Sequence, residues 1–167
     1  MSKNYGDEIK KLIINTSKIL GRPITGEDFY IEHQPCGHIS KALPSGKMAI
    51  YTFVLNDEFL KIGKAGTKSK ARYQSHHYCI KSNKSTLANS LVNDPNEPNI
   101  TNDNVTQWIR NNCERFDVIL DIKLGNMALS FIEGMLHFKY KPRYEGWIYL
   151  FFCKCDSAIK IPSLPYS

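Results

Sequence analysis

The alternation of apolar and polar positions predicts two strands near the middle of the chain. Residues 48–55 and 59–63 form two apolar runs, and the polar residues 56–58 separate them. Asn and Asp in such a separator tolerate the backbone of a tight turn, so the two runs are predicted to form a β-hairpin. Lys61 interrupts the second run at a position where a buried strand usually carries Val or Ile.

Helical spacing of apolar residues appears in five other segments. Residues 7–20 and 126–140 give the longest patterns, because Ile and Leu recur there at intervals near three and four. Acidic residues at the start of the first segment and a proline after the second are typical helix boundaries. Shorter helices are predicted at residues 69–78, 85–93 and 104–115.

Two further segments are rich in β-branched and aromatic residues and are typical of strands, residues 116–124 and 147–153. Residues 21–47 are polar and rich in turn residues, which predicts an extended arm or a lid. The order of elements indicates an α+β or mixed α/β domain with a small, mostly antiparallel sheet flanked by helices. An N-terminal helix and arm are predicted to be additions to this core.

Composition and charge indicate which binding partners and which cellular compartment to expect. The chain has 167 residues, of which 42% are hydrophobic, so it can bury a core of its own. A net charge of +6 favours polyanions such as nucleic acids, and a solvated basic surface is the plain alternative. No apolar run approaches a membrane span, no secretion signal is recognisable, and five cysteines argue against a disulfide framework. These features predict a cytosolic protein without a membrane partner.

A basic cluster with interleaved aromatic residues follows the hairpin. Arg72 and His76 are four residues apart on a predicted helix, so they are expected to share one face. Arginine offers a fork of donors to phosphate oxygens, and histidine exchanges protons near neutral pH. The cluster therefore suits a phosphodiester, with a solvated basic helix as the alternative. Its candidate DNA-binding lysines are Lys64, Lys68, Lys70, Lys81 and Lys84.

Two other side chains could carry chemistry. Glu133 lies at the edge of the apolar stripe of its predicted helix, so it either reaches solvent or a lysine, or serves as a metal-binding or catalytic carboxylate. Tyr51 is either a core residue beside Phe53 or a reactive phenol. In the hairpin it approaches Lys61, and a nearby cation would lower the pKa of the phenol and let it take a proton from water.

Four short motifs, in this order, resemble the GIY-YIG nuclease family. They are AIYTF (49–53), LKIGKAG (60–66), SKARYQSHHY (69–78) and FIEG (131–134). Tyr51 matches the tyrosine of the first family motif, and Lys61 stands where the second motif usually has its tyrosine. This lysine variant is similar to some small GIY-YIG restriction endonucleases. The family's late asparagine has no match in KPRYEG (141–146).

The resemblance implies roles for individual residues. The family's helical arginine matches Arg72, and its metal-binding glutamate matches Glu133. Some restriction members carry a histidine one turn after the arginine, which His76 would match. The implied chemistry is hydrolysis of a DNA phosphodiester with one Mg²⁺ per site, for which Mn²⁺ can substitute. In it Tyr51 activates water, and Lys61 lowers the pKa of Tyr51 or holds a water or phosphate.

The resemblance also implies an α+β fold with a small, mostly antiparallel three-stranded sheet flanked by helices, together with a domain plan and partners. Residues 48–167 would form the nuclease domain, with an inserted loop at about 81–105, and residues 1–47 would be a DNA-recognition or dimer element. Double-stranded DNA is the expected substrate, and a homodimer would let two sites cut two strands. A type II restriction enzyme is one form of this activity. A non-cleaving nucleic-acid-binding module and a structure-specific repair or defence nuclease are the alternatives.

Overall fold

One antiparallel sheet of four strands organises the part of the chain that the computed structural model describes, residues 4–80 and 86–144. Each neighbouring pair of strands is antiparallel, and the order across the sheet is β1-β4-β2-β3. The predicted α+β class is therefore confirmed. The strands are β1 (Phe29–Gln34), β2 (Lys47–Leu55), β3 (Glu58–Ala65) and β4 (Arg115–Asp121).

The prediction of a three-stranded sheet is wrong, because a fourth strand comes from the segment predicted to be an arm. β1 pairs with β4 along its whole length, from Phe29 opposite Leu120 to Gln34 opposite Arg115. It lies at the edge of the sheet, where polar side chains are common and the apolar signal of a strand is weak. The strand predicted at residues 147–153 lies outside the described residues.

The predicted hairpin is formed by β2 and β3. Its two-residue turn has both residues in the left-handed region, with φ of 46° at Asn56 and 67° at Asp57. These angles belong to a type I′ turn, whose twist matches that of the flanking strands, and Asn and Asp adopt them at low cost. The turn fixes which residues of the two strands face each other.

A β-bulge in β3 changes the direction of the side chains after the turn. Phe53 pairs with Lys61, but Val54 pairs with Phe59, so Leu60 is an extra residue without an opposite partner. Because of this insertion, Leu60 and Lys61 lie on the same face of the sheet as Phe53. An unbroken alternation would have put them on opposite faces.

Helices cover both faces of the sheet. On one face, the apolar sides of the first and last helices form a core with β2 and β4, which we call the first core. On the other face, three short helices and a 3₁₀ turn form the second core. No helix among the described residues has the length and apolar character needed to cross a bilayer. The helices are α1 (Tyr5–Ile19), α2 (Lys70–Gln74), α3 (Leu87–Val92), α4 (Val105–Asn112) and α5 (Gly125–Tyr140), and the 3₁₀ turns are His76–Tyr78 and Ile122–Leu124.

The helix predicted at residues 69–78 is shorter than expected. α2 ends at Gln74, and the chain continues as the 3₁₀ turn His76–Tyr78 after Ser75, whose φ is −134°. Arg72 and His76 therefore do not share a helical face, and that expectation is wrong. The physical reason is that Tyr73 and Tyr78 are both buried in the second core, and one continuous helix would not point both of them at the sheet.

Candidate functional site

Tyr51 reaches across the neighbouring strand because position 63 is a glycine. The two residues are directly opposite each other in β2 and β3. A Cβ atom at position 63 would lie 2.4 Å from the phenol oxygen of Tyr51 and 2.6 Å from its Cζ. Only glycine therefore lets the ring lie over the last strand of the sheet and place its oxygen near the sheet edge.

Two donors converge on that phenol oxygen. Arg72 Nε lies 3.1 Å from Tyr51 Oη, and His77 Nε2 lies 2.6 Å from it. The other ring nitrogen of His77 accepts a hydrogen bond from the backbone N–H of Leu87 at 3.3 Å. Burial, with the nearby cations Lys61 and Arg72, lowers the pKa of His77 to about 3, so the ring is neutral.

These contacts fix the tautomer of His77 and the role of Tyr51. A neutral imidazole that accepts at Nδ1 carries its proton on Nε2 and donates from there. The phenol oxygen of Tyr51 therefore accepts two hydrogen bonds, from His77 and from Arg72. The proton of Tyr51 itself therefore points in a third direction. When that proton leaves, the two donors can stabilise the resulting phenolate.

The pKa of Tyr51 reflects opposing influences. Burial raises it above the ordinary value, and the charge and hydrogen bond of Arg72 lower it. Glu133 on α5 raises it and Arg115 on β4 lowers it. Arg72 is thus the cation bonded to the phenol, in the place where the sequence suggested Lys61.

Lys61 lies beside this arrangement and has a different partner. Its Nζ donates to the backbone carbonyl of Tyr144 at 2.8 Å, and the residue is 7% exposed. Burial, with the nearby Arg72, lowers its pKa to about 8. This hydrogen bond attaches the segment after α5 to β3. The resemblance to GIY-YIG nucleases implied an asparagine in the same segment. Glu145, the next residue of KPRYEG, lies outside the described residues.

Glu133 lies on α5, which packs on the opposite face of the sheet from Arg72. Its carboxylate forms an ion pair with Lys64 Nζ at 2.7 Å, and that nitrogen also donates to Ser130 Oγ at 3.0 Å. Glu133 is half-buried, and its charge acts on Tyr51 across the edge strand. The carboxylate, Lys64 and the phenol are thus gathered around β3.

A polar cavity of about 290 Å³ opens beside Arg72 and His77. His76 lines this cavity but belongs to the 3₁₀ turn, one residue before the histidine that contacts Tyr51. Lys68 is exposed and lines it too. The side chain of Lys70, and Lys81 and Lys84 as a whole, lie outside the described part of the chain.

Sequence reasoning missed three residues that shape the site. The sequence favours His76, because a regular helix would turn it toward Arg72, whereas the structure brings His77 to Tyr51. Arg115 is predicted to end a helix and Asp117 to lie in an apolar strand, yet both belong to β4, are fully buried and are ion-paired at 2.8 Å. Their alternate positions in RFDVILD were the available signal, since residues two apart in a strand share a face.

The carboxylate oxygens of Glu133 determine which metal ions the site could bind. Among the described residues no group of three or more His, Cys, Asp or Glu side chains is gathered as for a protein-ligated ion. A single carboxylate suits Mg²⁺ or Mn²⁺, which keep water ligands and share substrate phosphates, and does not suit structural zinc. No protein-family model matches the chain, and no significant match appears among curated proteins or solved structures.

Proposed function

We propose that the protein is a metal-dependent DNA endonuclease that hydrolyses phosphodiester bonds. The observation that carries this proposal is the phenol of Tyr51, which accepts hydrogen bonds from Arg72 and neutral His77 at the edge of the sheet. A phenol oxygen held by two donors is suited to act, once it is ionised to phenolate, as the base that takes a proton from water. The carboxylate of Glu133 lies close enough to act on it electrostatically.

The surroundings of Tyr51 support a polyanionic substrate. Arg72 is exposed, so its remaining N–H groups can donate to a phosphate oxygen while Nε stays on the phenol. Lys64 and Lys68 add positive charge on either side, and the chain as a whole carries +6. Double-stranded DNA is the proposed substrate, with the scissile phosphate at the β3 edge of the sheet, which Arg72 approaches from one face and Glu133 from the other.

Each residue of the site has its own role in the proposed reaction. Tyr51 first releases its own proton to solvent, and the hydrogen bonds from Arg72 and His77 stabilise the resulting phenolate. The phenolate then accepts the proton of the attacking water. Arg72 also stabilises the added charge on the phosphorus in the transition state. Lys61 holds the chain at Tyr144 in place beside β3.

Glu133 is the residue that would hold the metal. Mg²⁺, or Mn²⁺ in its place, would supply Lewis-acid stabilisation of the leaving 3′ oxygen. Lys64 currently neutralises the same carboxylate, so it must release Glu133 when an ion binds. In the released position its ammonium can pair with a phosphate oxygen of the DNA.

Plasmid cleavage with Mg²⁺ tests the proposal. The wild type should convert supercoiled DNA to nicked and linear forms, and EDTA should stop the reaction. Glu133→Gln should reduce the rate by at least about a hundredfold, as expected for loss of a charged group that acts in the transition state. The matched control is Glu8→Gln, which breaks an ion pair with Lys139 between α1 and α5, and it should cleave normally. A fully active Glu133→Gln enzyme would refute the metal assignment.

A non-cleaving nucleic-acid-binding module is the second candidate. The Glu133–Lys64 ion pair favours it, because a carboxylate already neutralised by lysine serves as a structural contact. In that case DNA would be retained in a mobility-shift assay and stay intact under every metal condition. If DNA is cut, discrete fragments from a long substrate indicate a sequence-specific restriction enzyme, and a smear indicates a nuclease that recognises structure.

A further inference from the structure

A buried ion pair lies directly beneath the residues that hold Tyr51. Arg115 and Asp117 are two apart on β4, each 0% exposed, with Arg115 Nη2 2.8 Å from Asp117 Oδ2. Burying two charges is costly, and a buried pair gives little net stability compared with apolar residues of the same size. Such a pair is nevertheless well suited to fix one arrangement of the groups bonded to it.

Two tyrosines are bonded to this pair, one to each member. Tyr73 donates its hydroxyl proton to Asp117 Oδ2 at 2.9 Å, and Arg115 Nη1 donates to the hydroxyl of Tyr78 at 3.0 Å. The guanidinium of Arg115 also lies over the ring of Tyr73, 4.9 Å from its centre. Both tyrosines are buried in the second core.

The anchored tyrosines are the sequence neighbours of the two donors to the phenol. Tyr73 directly follows Arg72, and Tyr78 directly follows His77. α2 has five residues and the 3₁₀ turn has three, so neither element is long enough to hold its own shape. Their positions therefore depend on tertiary contacts.

The ion pair is itself tied to the sheet. Gln34 on β1 donates to Asp117 Oδ2 at 2.9 Å, and the backbone N–H of Thr52 on β2 lies 3.4 Å from Asp117 Oδ1. Thr52 is the residue after Tyr51. One buried carboxylate thus bonds the strand that carries the phenol and the helix that carries a donor to it.

We propose that the Arg115–Asp117 ion pair positions the Tyr51 site. Through the hydroxyls of Tyr73 and Tyr78 it sets the distance between the phenol oxygen and its two donors, Arg72 and His77. Arg115 and Asp117 are positioning residues and touch no substrate. The inference rests on the proposed function only where cleavage is used as a readout.

Removal of single hydroxyl groups tests this role. Tyr73→Phe and Tyr78→Phe keep the rings and delete the bonds to the ion pair, and Tyr5→Phe is the matched control. Tyr5 is also a buried tyrosine whose hydroxyl donates a hydrogen bond, to the carbonyl of Asp57, but it belongs to the first core. These variants are less disruptive than Asp117→Asn, which would leave Arg115 buried without its counter-charge.

The first readout does not depend on activity. In protein labelled with ¹³C at tyrosine Cζ, the Tyr51 signal is identified by its loss in Tyr51→Phe, and its titration gives the pKa of the phenol. Tyr73→Phe and Tyr78→Phe should raise that pKa, because Arg72 and its hydrogen bond lower it in the intact site. Tyr5→Phe should leave it unchanged.

The second readout separates positioning from folding stability. In Tyr73→Phe and Tyr78→Phe, kcat for DNA cleavage should fall by about tenfold to a hundredfold with KM little changed, as expected for a shift of about 1 Å in catalytic groups. Tyr5→Phe should show a similar loss of thermal stability with normal kcat. A Tyr51 titration in the two variants identical to that of the wild type would overturn the proposal. If the wild type cuts no DNA, the proposed function fails and the titration still decides this inference.

Discussion

Gly63 lies so close to Tyr51 that the two positions act as one unit. A Cβ at position 63 would come within 2.4 Å of the phenol oxygen, well inside van der Waals contact. The glycine allows the ring to cross β3 and meet Arg72 and His77. Without it the phenol oxygen would have to lie elsewhere.

Gly63→Ala should therefore destabilise the protein, although alanine normally suits an ordered backbone better than glycine. The expected loss is about 1–3 kcal/mol in the free energy of unfolding, measured with urea, since the extra methyl group overpacks the site. Gly134→Ala on α5 is the control, because no atom outside its own helix backbone lies within 4 Å of the added Cβ. It should gain about 0.5–1 kcal/mol. Equal stabilisation of the two variants would contradict the close approach at position 63.

The two adjacent histidines should differ sharply in their effect on cleavage. His77→Phe removes a donor to Tyr51 and the acceptor for Leu87, so the cleavage rate should fall by about 10². His76→Phe changes a residue that lines the cavity and should cost much less. Single-turnover cleavage assays measure both. A larger loss at position 76 would restore the role that the sequence suggested for it.

Lys64→Met should strengthen metal binding in the absence of DNA. The substitution removes the cation that competes for Glu133, and exposed ion pairs contribute about 0.2–1 kcal/mol, so the Kd for Mn²⁺ should fall by up to about fivefold. Electron paramagnetic resonance of free Mn²⁺ gives this Kd directly. Lys41→Met, which breaks the pair with Glu32, is the control and should leave it unchanged. Weaker Mn²⁺ binding by Lys64→Met would mean that Glu133 is not the ligand.

Folding stability should decline as the pH falls below about 6.5. Burial lowers the pKa of His77 to about 3 and that of His38 to about 4, from an ordinary value of 6.5. Below pH 6.5 the two histidines become protonated in the unfolded chain but stay neutral in the folded chain. The free energy of unfolding is therefore highest above pH 6.5 and decreases toward pH 3. Each histidine contributes up to about 1.4 kcal/mol per pH unit in this range.

Urea unfolding at pH 7, 6 and 5 measures this dependence. His77→Gln removes one of the histidines with a lowered pKa, so the decline between pH 6 and pH 5 should be shallower than in the wild type. The pH 7 value sets the baseline for each protein. The same slope in both proteins would show that His77 is not held neutral by the fold.

Much of the fold follows from local patterns in the sequence. The hairpin is marked by two apolar runs around Asn56 and Asp57, and α5 by its periodic apolar face. β1 was missed because a solvent-facing edge strand needs few apolar residues, and Glu32 and His33 interrupt its pattern. The pairing of β1 with β4 is a long-range contact that no local signal contains.

The site shows the same division between local and tertiary information. Tyr51, Arg72 and Glu133 are recognisable by type and order along the chain. The sequence does not show that His77 rather than His76 contacts Tyr51, because this depends on where α2 ends. The buried hydrogen bonds of Tyr73 and Tyr78 determine where α2 ends. The cation bonded to Tyr51 likewise depends on side-chain directions that the β-bulge at Leu60 changes.

The proposed role of Tyr51 is tested most directly by deleting one oxygen atom. Tyr51→Phe keeps the ring over Gly63 and removes only the group that would accept the proton of water. Single-turnover cleavage of plasmid DNA with Mg²⁺ should slow by about 10² to 10⁴, the range typical for loss of a general base. Tyr30→Phe, at a tyrosine that is 46% exposed on β1, should cleave at the wild-type rate. Wild-type cleavage by Tyr51→Phe would contradict the account.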